Sequence, residues 1–116
     1  MTSISWEKVV AIALSLPGAE LSRSYGRPAL KVRGKAFAAT GKADDHFVLM
    51  AELDEVDVLM ETEPHVFFQT DHYKGWPAVL VRHATADPDR IAALIERAWE
   101  RRASKAQRQE RAKQFG

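Results

Sequence analysis

Apolar and polar positions along the chain change period several times, and each change marks an element. Over residues 6–16, Trp6, Val9, Val10, Ala13 and Leu14 recur at helical spacing, with Ser5 placed as N-cap and Pro17-Gly18 as the stop. Residues 20–25 then read as a short edge strand ending at Gly26. From Leu30 onward the period falls to two. Gly34-Lys35 fits the centre of a type II′ turn, which pairs Arg33 with Ala36, Val32 with Phe37, Lys31 with Ala38 and Leu30 with Ala39. That register buries Leu30, Val32, Phe37 and Ala39 and leaves Lys31 and Arg33 standing over alanines on the other face.

Residues 47–51 (FVLMA) are apolar on both faces, so they predict a central strand whose second face needs a cover. Asp54 is placed to N-cap a second helix, with Asp57 in a box-like position and Pro64 ending it. Its spacing turns Leu53, Val56, Leu59 and Met60 inward and Asp54, Glu55, Asp57 and Glu61 to water. Two more strands, 66–70 and 78–83, flank the loop DHYKGWP. Asp87-Pro88 opens a third helix with Ile91, Leu94, Ile95, Ala98 and Trp99 as its stripe. Beyond Ala103 no large apolar residue follows until Phe115, so the end is expected to be a solvated helical extension or a frayed tail that buries little. The order predicts one α+β domain over residues 1–103, an antiparallel sheet with N- and C-terminal helices packed on it, and a basic C-terminal extension over 104–116.

Charge changes this picture more than composition does. At 46% hydrophobic and 28% charged, the chain is an ordinary globular one, and its net charge of +1 points to no partner. The charges are segregated, however. Between residues 21 and 42 there are six basic and no acidic residues, between 43 and 73 nine acidic and no basic, and between 101 and 113 six basic against Glu110. No apolar run reaches the length of a membrane span, and Glu7 and Lys8 interrupt any signal-peptide pattern, so the expected compartment is cytoplasmic. With no cysteine, disulfides and thiolate chemistry are excluded.

Residues SYGRPALKVRGKAFA, the later EPHVFFQTDHYKGWPAVLVR and a C-terminal helix resemble the MmcQ/YjbR family over roughly residues 5–103. The resemblance implies a fold like that of the bacterial frataxin CyaY. It also implies the family's usual label, DNA-binding protein, through two protruding hairpins in a double-wing arrangement. It brings no catalytic residues, and the basic extension is longer than the family core leads one to expect.

The candidate nucleic-acid surface has three parts: the hairpin cations Arg23, Arg27, Lys31, Arg33 and Lys35; the loop residues Tyr73, Lys74 and Trp76; and a helical row of Arg97, Arg101, Lys105 and Arg108. Cations neutralise phosphates and aromatics stack on bases. The same residues also suit a solvated sheet face, with Tyr73 and Trp76 packed back on the core. Arg27, between Gly26 and Pro28, is expected to pair with Asp71 or with an acid of the second helix. The four histidines show no metal-ligand spacing, and no nucleophile, phosphate-loop or dinucleotide motif is present, so neither metal, cofactor nor catalysis is expected. The alternative role is a protein-interaction module, favoured if Val58 or Met60 is exposed beside the carboxylates of the acidic helix.

Overall fold

A computed structural model describes residues 3–114. Phe115 lies outside them. The first helix, α1 (Trp6–Leu14), starts at Ser5, whose hydroxyl accepts from the Lys8 amide. Six strands follow the predicted alternation: β1 (Glu20–Ser24), β2 (Arg27–Val32), β3 (Lys35–Thr40), β4 (His46–Met50), β5 (Phe67–Phe68) and β6 (Ala78–Arg82). They form one sheet in the order β1-β2-β3-β4-β6-β5, antiparallel throughout. Helix α2 (Leu53–Thr62) joins β4 to β5, and α3 (Pro88–Arg102) and α4 (Lys105–Lys113) close the chain.

The β2–β3 hairpin departs from the expected register. Arg33 and Gly34 both have positive φ (55° and 77°), so the two-residue loop has the signature of a type I′ turn, one position earlier than Gly34-Lys35. Val32 therefore faces Lys35, Lys31 faces Ala36, and Leu30 faces Ala38; Phe37 falls between these pairs as a bulge. The bulge keeps Phe37 in the core but exchanges its companion: Ala38 is buried there and Ala39 moves to the opposite face. Arg33 is consequently a turn residue, not a face residue. The β1–β2 hairpin repeats the device with Tyr25 and Gly26, also at positive φ.

Most of the core lies on one side of the sheet, where α1, α2 and α3 cover Leu30, Val32, Phe37, Phe47, Leu49, Val79 and Val81. Fully buried Trp99 donates its indole N–H to the Pro17 carbonyl at 2.9 Å, tying α3 to the end of α1. The other face has a small cluster of its own, Val48, Ala78 and Leu80, packed by Met50, Phe68 and Tyr73. The loop before β6 thus supplies the cover that a doubly apolar β4 requires. Gln69 holds that loop down by donating to the carbonyls of Ala78 at 2.7 Å and Trp76 at 3.3 Å.

Two details of the helices differ from expectation. Helix α2 begins two residues earlier than an Asp54 cap allows, with Glu52 at the N-cap and no side-chain cap bond; Asp54 instead accepts from the Glu55 amide. Leu53 and Val58 are exposed, at 53% and 56%. The chain end is a largely solvated helix of its own and not a frayed tail. Extended backbone at Ala103 breaks the helix, and Ser104 with Gln107 forms a reciprocal capping box that opens α4. Arg111 then grips Glu96 through two nitrogens, at 2.9 and 3.3 Å, folding α4 back along α3. Gln107 comes so close to Gly18 that a Cβ there would lie 2.2 Å from its amide nitrogen.

Candidate nucleic-acid interface

Strand register decides which of the predicted cations can act together. The β2–β3 turn and the loop over residues 69–77 emerge from the same end of the sheet. Met50, at the end of β4, faces Ala78 at the start of β6, and Ala51 donates to the Pro77 carbonyl at 3.0 Å, while β3 starts at that end, with Ala38 opposite Leu49. Their midlines are three strand positions apart, about 14 Å at the usual strand spacing. Arg33, Lys35, Lys74 and Trp76 are all exposed there, Trp76 at 55%. Among the described residues, none of the three cations makes an ion pair.

The loop itself is preorganised. A short 3-10 turn (Asp71–Tyr73) presents His72, whose ring stacks on Trp76 with centroids 6.3 Å apart and planes 20° from parallel. Tyr73 meets His72 edge-on at 5.1 Å and packs on the second cluster, so its ring is half-buried. Of the two aromatics, Trp76 has the free face.

The remaining candidates lie elsewhere. Arg23 sits on the helical side of β1 and braces its hairpin by donating to the Gly26 carbonyl at 3.1 Å. Lys31 is on the open face, directly opposite Glu20, which weakens its positive field. The helical row is broken by the Ala103 bend, so Lys105 and Arg108 do not continue the line of Arg97 and Arg101. Arg101 reaches Glu55 at 2.6 Å and Glu52 at 3.0 Å, Arg97 reaches Glu55 at 2.9 Å, and Arg108 donates to the Ala103 carbonyl at 2.6 Å. Glu55 is therefore an internal anchor, not a water-facing acid. Sequence spacing alone missed this, because α2 and α3 face each other only in the fold.

Arg27 does not find the expected acid. It makes no ion pair among the described residues, and its Nη1 is enclosed without a hydrogen-bond partner. Residues that sequence reasoning passed over lie near its row: Tyr25, whose side chain is 99% exposed at the β1–β2 tip, and Arg82, whose guanidinium carbon stands 4.0 Å over the Phe68 ring. The Tyr25-Gly26 pair between two short strands is the sequence signal that would have placed Tyr25 on the tip. Beside them, His46 Nδ1 is 2.7 Å from the Asp45 carboxylate, and this hydrogen bond holds the Asp45 pKa below its ordinary value. His83, behind Phe47, has an enclosed Nδ1, and burial lowers its pKa. Burial, with the neighbouring Arg101 charge, also lowers the pKa of Arg102. No group of three or more His, Asp or Glu side chains converges on a metal-sized point among the described residues, and no described helix is long and apolar enough to cross a membrane.

Comparison with known proteins agrees with this architecture. A solved structure of a Deinococcus radiodurans protein, with the family-model domain DUF419, superposes with a TM-score of 0.73 over 93% of this chain and 88% of that one. At 16% identity the likeness speaks for the fold. Uncharacterised proteins of Mycobacterium bovis and Mycobacterium tuberculosis are 46% identical over 41 residues, 35% of this chain. The match spans about a third (32%) of the length of those relatives. The YjbR family model matches residues 14–101, from the end of α1 to the last turn of α3, and the chain belongs to the YjbR family.

Proposed function

We propose that the protein is a non-enzymatic nucleic-acid-binding domain that contacts phosphates with Arg33, Lys35 and Lys74 and offers Trp76 as a stacking surface. The observation that carries this reading is topological. Two separate projections, the β2–β3 turn and the 69–77 loop, leave the sheet at one end with cations free of ion pairs among the described residues. Such contacts are sequence-tolerant, salt-dependent and additive in charge. Fluorescence anisotropy with labelled single- and double-stranded oligonucleotides at several salt concentrations tests it. Micromolar or tighter binding at physiological salt, weakened about equally for all sequences by Arg33→Ala and by Lys35→Ala, is expected. Binding that is absent, or indifferent to both substitutions, overturns it.

A second reading has one specific observation behind it. Val58 and Leu53 are exposed on α2 beside Asp54, Asp57 and Glu61, and an open groove of about 360 Å³ separates α2 from α3. Val58 stands in that groove between acids of α2 and Arg90 and Arg97 of α3, an apolar foothold with charges of both signs around it, which suits a partner helix of mixed charge. Under that reading Val58→Asp abolishes capture of the partner and leaves oligonucleotide binding unchanged.

A further inference from the structure

At the end of the sheet away from those two projections, the open face carries a different set of groups. The strand registers place Ser24 opposite Arg27 and His46 opposite Arg82. Continuing the β2–β3 and β3–β4 ladders by one pair sets Gly41 between Arg27 and His46. One transverse row therefore runs Ser24, Arg27, Gly41, His46, Arg82. Glycine matters at its centre. A Cβ on Gly41 would fall 2.4 Å from both Cδ2 and Nε2 of His46, so the imidazole lies directly over that backbone with Nε2 turned toward β3. Asp45 engages the other nitrogen and fixes the ring.

Neither guanidinium group makes an ion pair among the described residues. Arg82 lies over Phe68, and Phe68 in turn meets the His46 ring at 5.4 Å edge-on. A guanidinium stacked by its face keeps its N–H donors free around its rim. Arg27 has an enclosed Nη1 with no acceptor. An enclosed cationic donor without an acceptor is unfavourable, and an acceptor that reached it would relieve that cost. The neighbouring Asp45 is exposed and turned onto His46, and among the described residues it makes no ion pair with Arg27 or Arg82.

We infer that Arg27, His46 and Arg82 form a binding site for a phosphate oxyanion on the open face of the sheet, beside the imidazole that covers Gly41. Arg27 supplies guanidinium donors, the His46 ring, held by Asp45, forms the wall beside them, and Arg82 supplies a charge held in place by Phe68. Tyr25, fully exposed on the adjacent tip, is positioned to cover a flat ring attached to that phosphate. The site is independent of the proposed Arg33, Lys35 and Lys74 contact, because it uses the other end of the sheet.

Titration with inorganic phosphate and with adenosine 5′-monophosphate, followed by NMR at the Arg27 and His46 side-chain signals, tests the inference. Saturable shifts at both residues are expected, weakened about tenfold or more by Arg27→Met, since a charge-assisted donor is lost. Gly41→Ala is expected to weaken binding as well, by displacing the imidazole. Lys35→Ala leaves it unchanged. Because removing an enclosed, unpaired cation relieves an unfavourable burial, Arg27→Met is expected to keep or raise the melting temperature. A lowered melting temperature would assign Arg27 a structural role and overturn the site. So would the absence of saturable shifts with either probe, or shifts that Arg27→Met leaves intact. If adenosine monophosphate binds more tightly than phosphate and Tyr25→Ala removes the difference, the ligand is a nucleotide. Equal affinities assign a bare phosphate group.

Discussion

The arginines of α3 and those of the sheet share one chemistry and stand in opposite situations. Arg97 and Arg101 converge on Glu55, and Arg101 also reaches Glu52, with the Arg101 and Glu55 side chains only 22% and 17% exposed. Arg27, Arg33 and Arg82 have no ion-pair partner among the described residues. In sequence neither group announces its partners, and the acids that Arg97 and Arg101 meet lie outside their own helix. Distance along the chain misleads because 46 residues separate Arg101 from Glu55. The fold, not the local charge count, determines which cations can meet a ligand: helix packing neutralises one set and strand register leaves the other open.

The largest effect that would sharpen this contrast is at Glu55. Glu55→Gln leaves two arginines facing a weaker acceptor in a half-buried place, which should destabilise the protein by about 2 kcal/mol after allowance for partial exposure. The melting temperature is expected to fall on the order of 8 °C for a domain of this size. A fall within 1 or 2 °C, roughly what a solvent-exposed ion pair gives, would show the pair to be incidental and blur the comparison.

Next in size is α4. Removing residues 104–116 takes away the Arg111–Glu96 pair and the Gln107 contact with Gly18, yet α4 buries no residue fully. The fold is expected to survive with a loss of about 1 kcal/mol, or about 4 °C. A collapse of the cooperative transition in calorimetry would make α4 part of the core, and an unchanged transition would return it to the status of a loose tail.

A smaller effect comes from pH. Burial disfavours the charged form of His83, so the unfolded chain takes up this proton more readily than the folded one. Its contribution is complete above the ordinary histidine value of 6.5 and declines as pH falls below that toward the folded value. The Asp45 contribution belongs to a lower window, lost only as pH falls below 3.8. Urea unfolding at pH 7.5, 6.5 and 5.5 should show a decline below 6.5 that His83→Gln flattens. Identical slopes in the two proteins would remove His83 from the account.

Much of the architecture is legible in local patterns, because those patterns are what the backbone responds to. Ser5 capping α1, Asp87-Pro88 opening α3, and the alternation of β2 and β3 each act within a few residues. The errors arose where two signals competed. Gly34 satisfies either position of a primed turn, and only Arg33 at positive φ selects type I′, which shifts the register and creates the Phe37 bulge. The Ser104-Lys105-Ala106-Gln107 capping box was present in the sequence, but a run of charge obscured it. Site geometry was the least legible part. The shared end of the β2–β3 turn and the 69–77 loop, and the row from Arg27 to Arg82, both depend on β6 inserting between β4 and β5.

The central claim, that position in the fold separates ligand-facing cations from neutralised ones, is tested most directly by comparing Arg33→Ala with Arg97→Ala. Each removes one positive charge, so nonspecific attraction changes equally. Anisotropy of a labelled single-stranded oligonucleotide, measured from low to physiological salt, reports both affinity and the number of phosphates engaged. The account predicts that Arg33→Ala weakens binding and reduces the salt slope by about one contact, while Arg97→Ala leaves both near the parent values. Equal losses in the two variants, or a larger loss for Arg97→Ala, would contradict it.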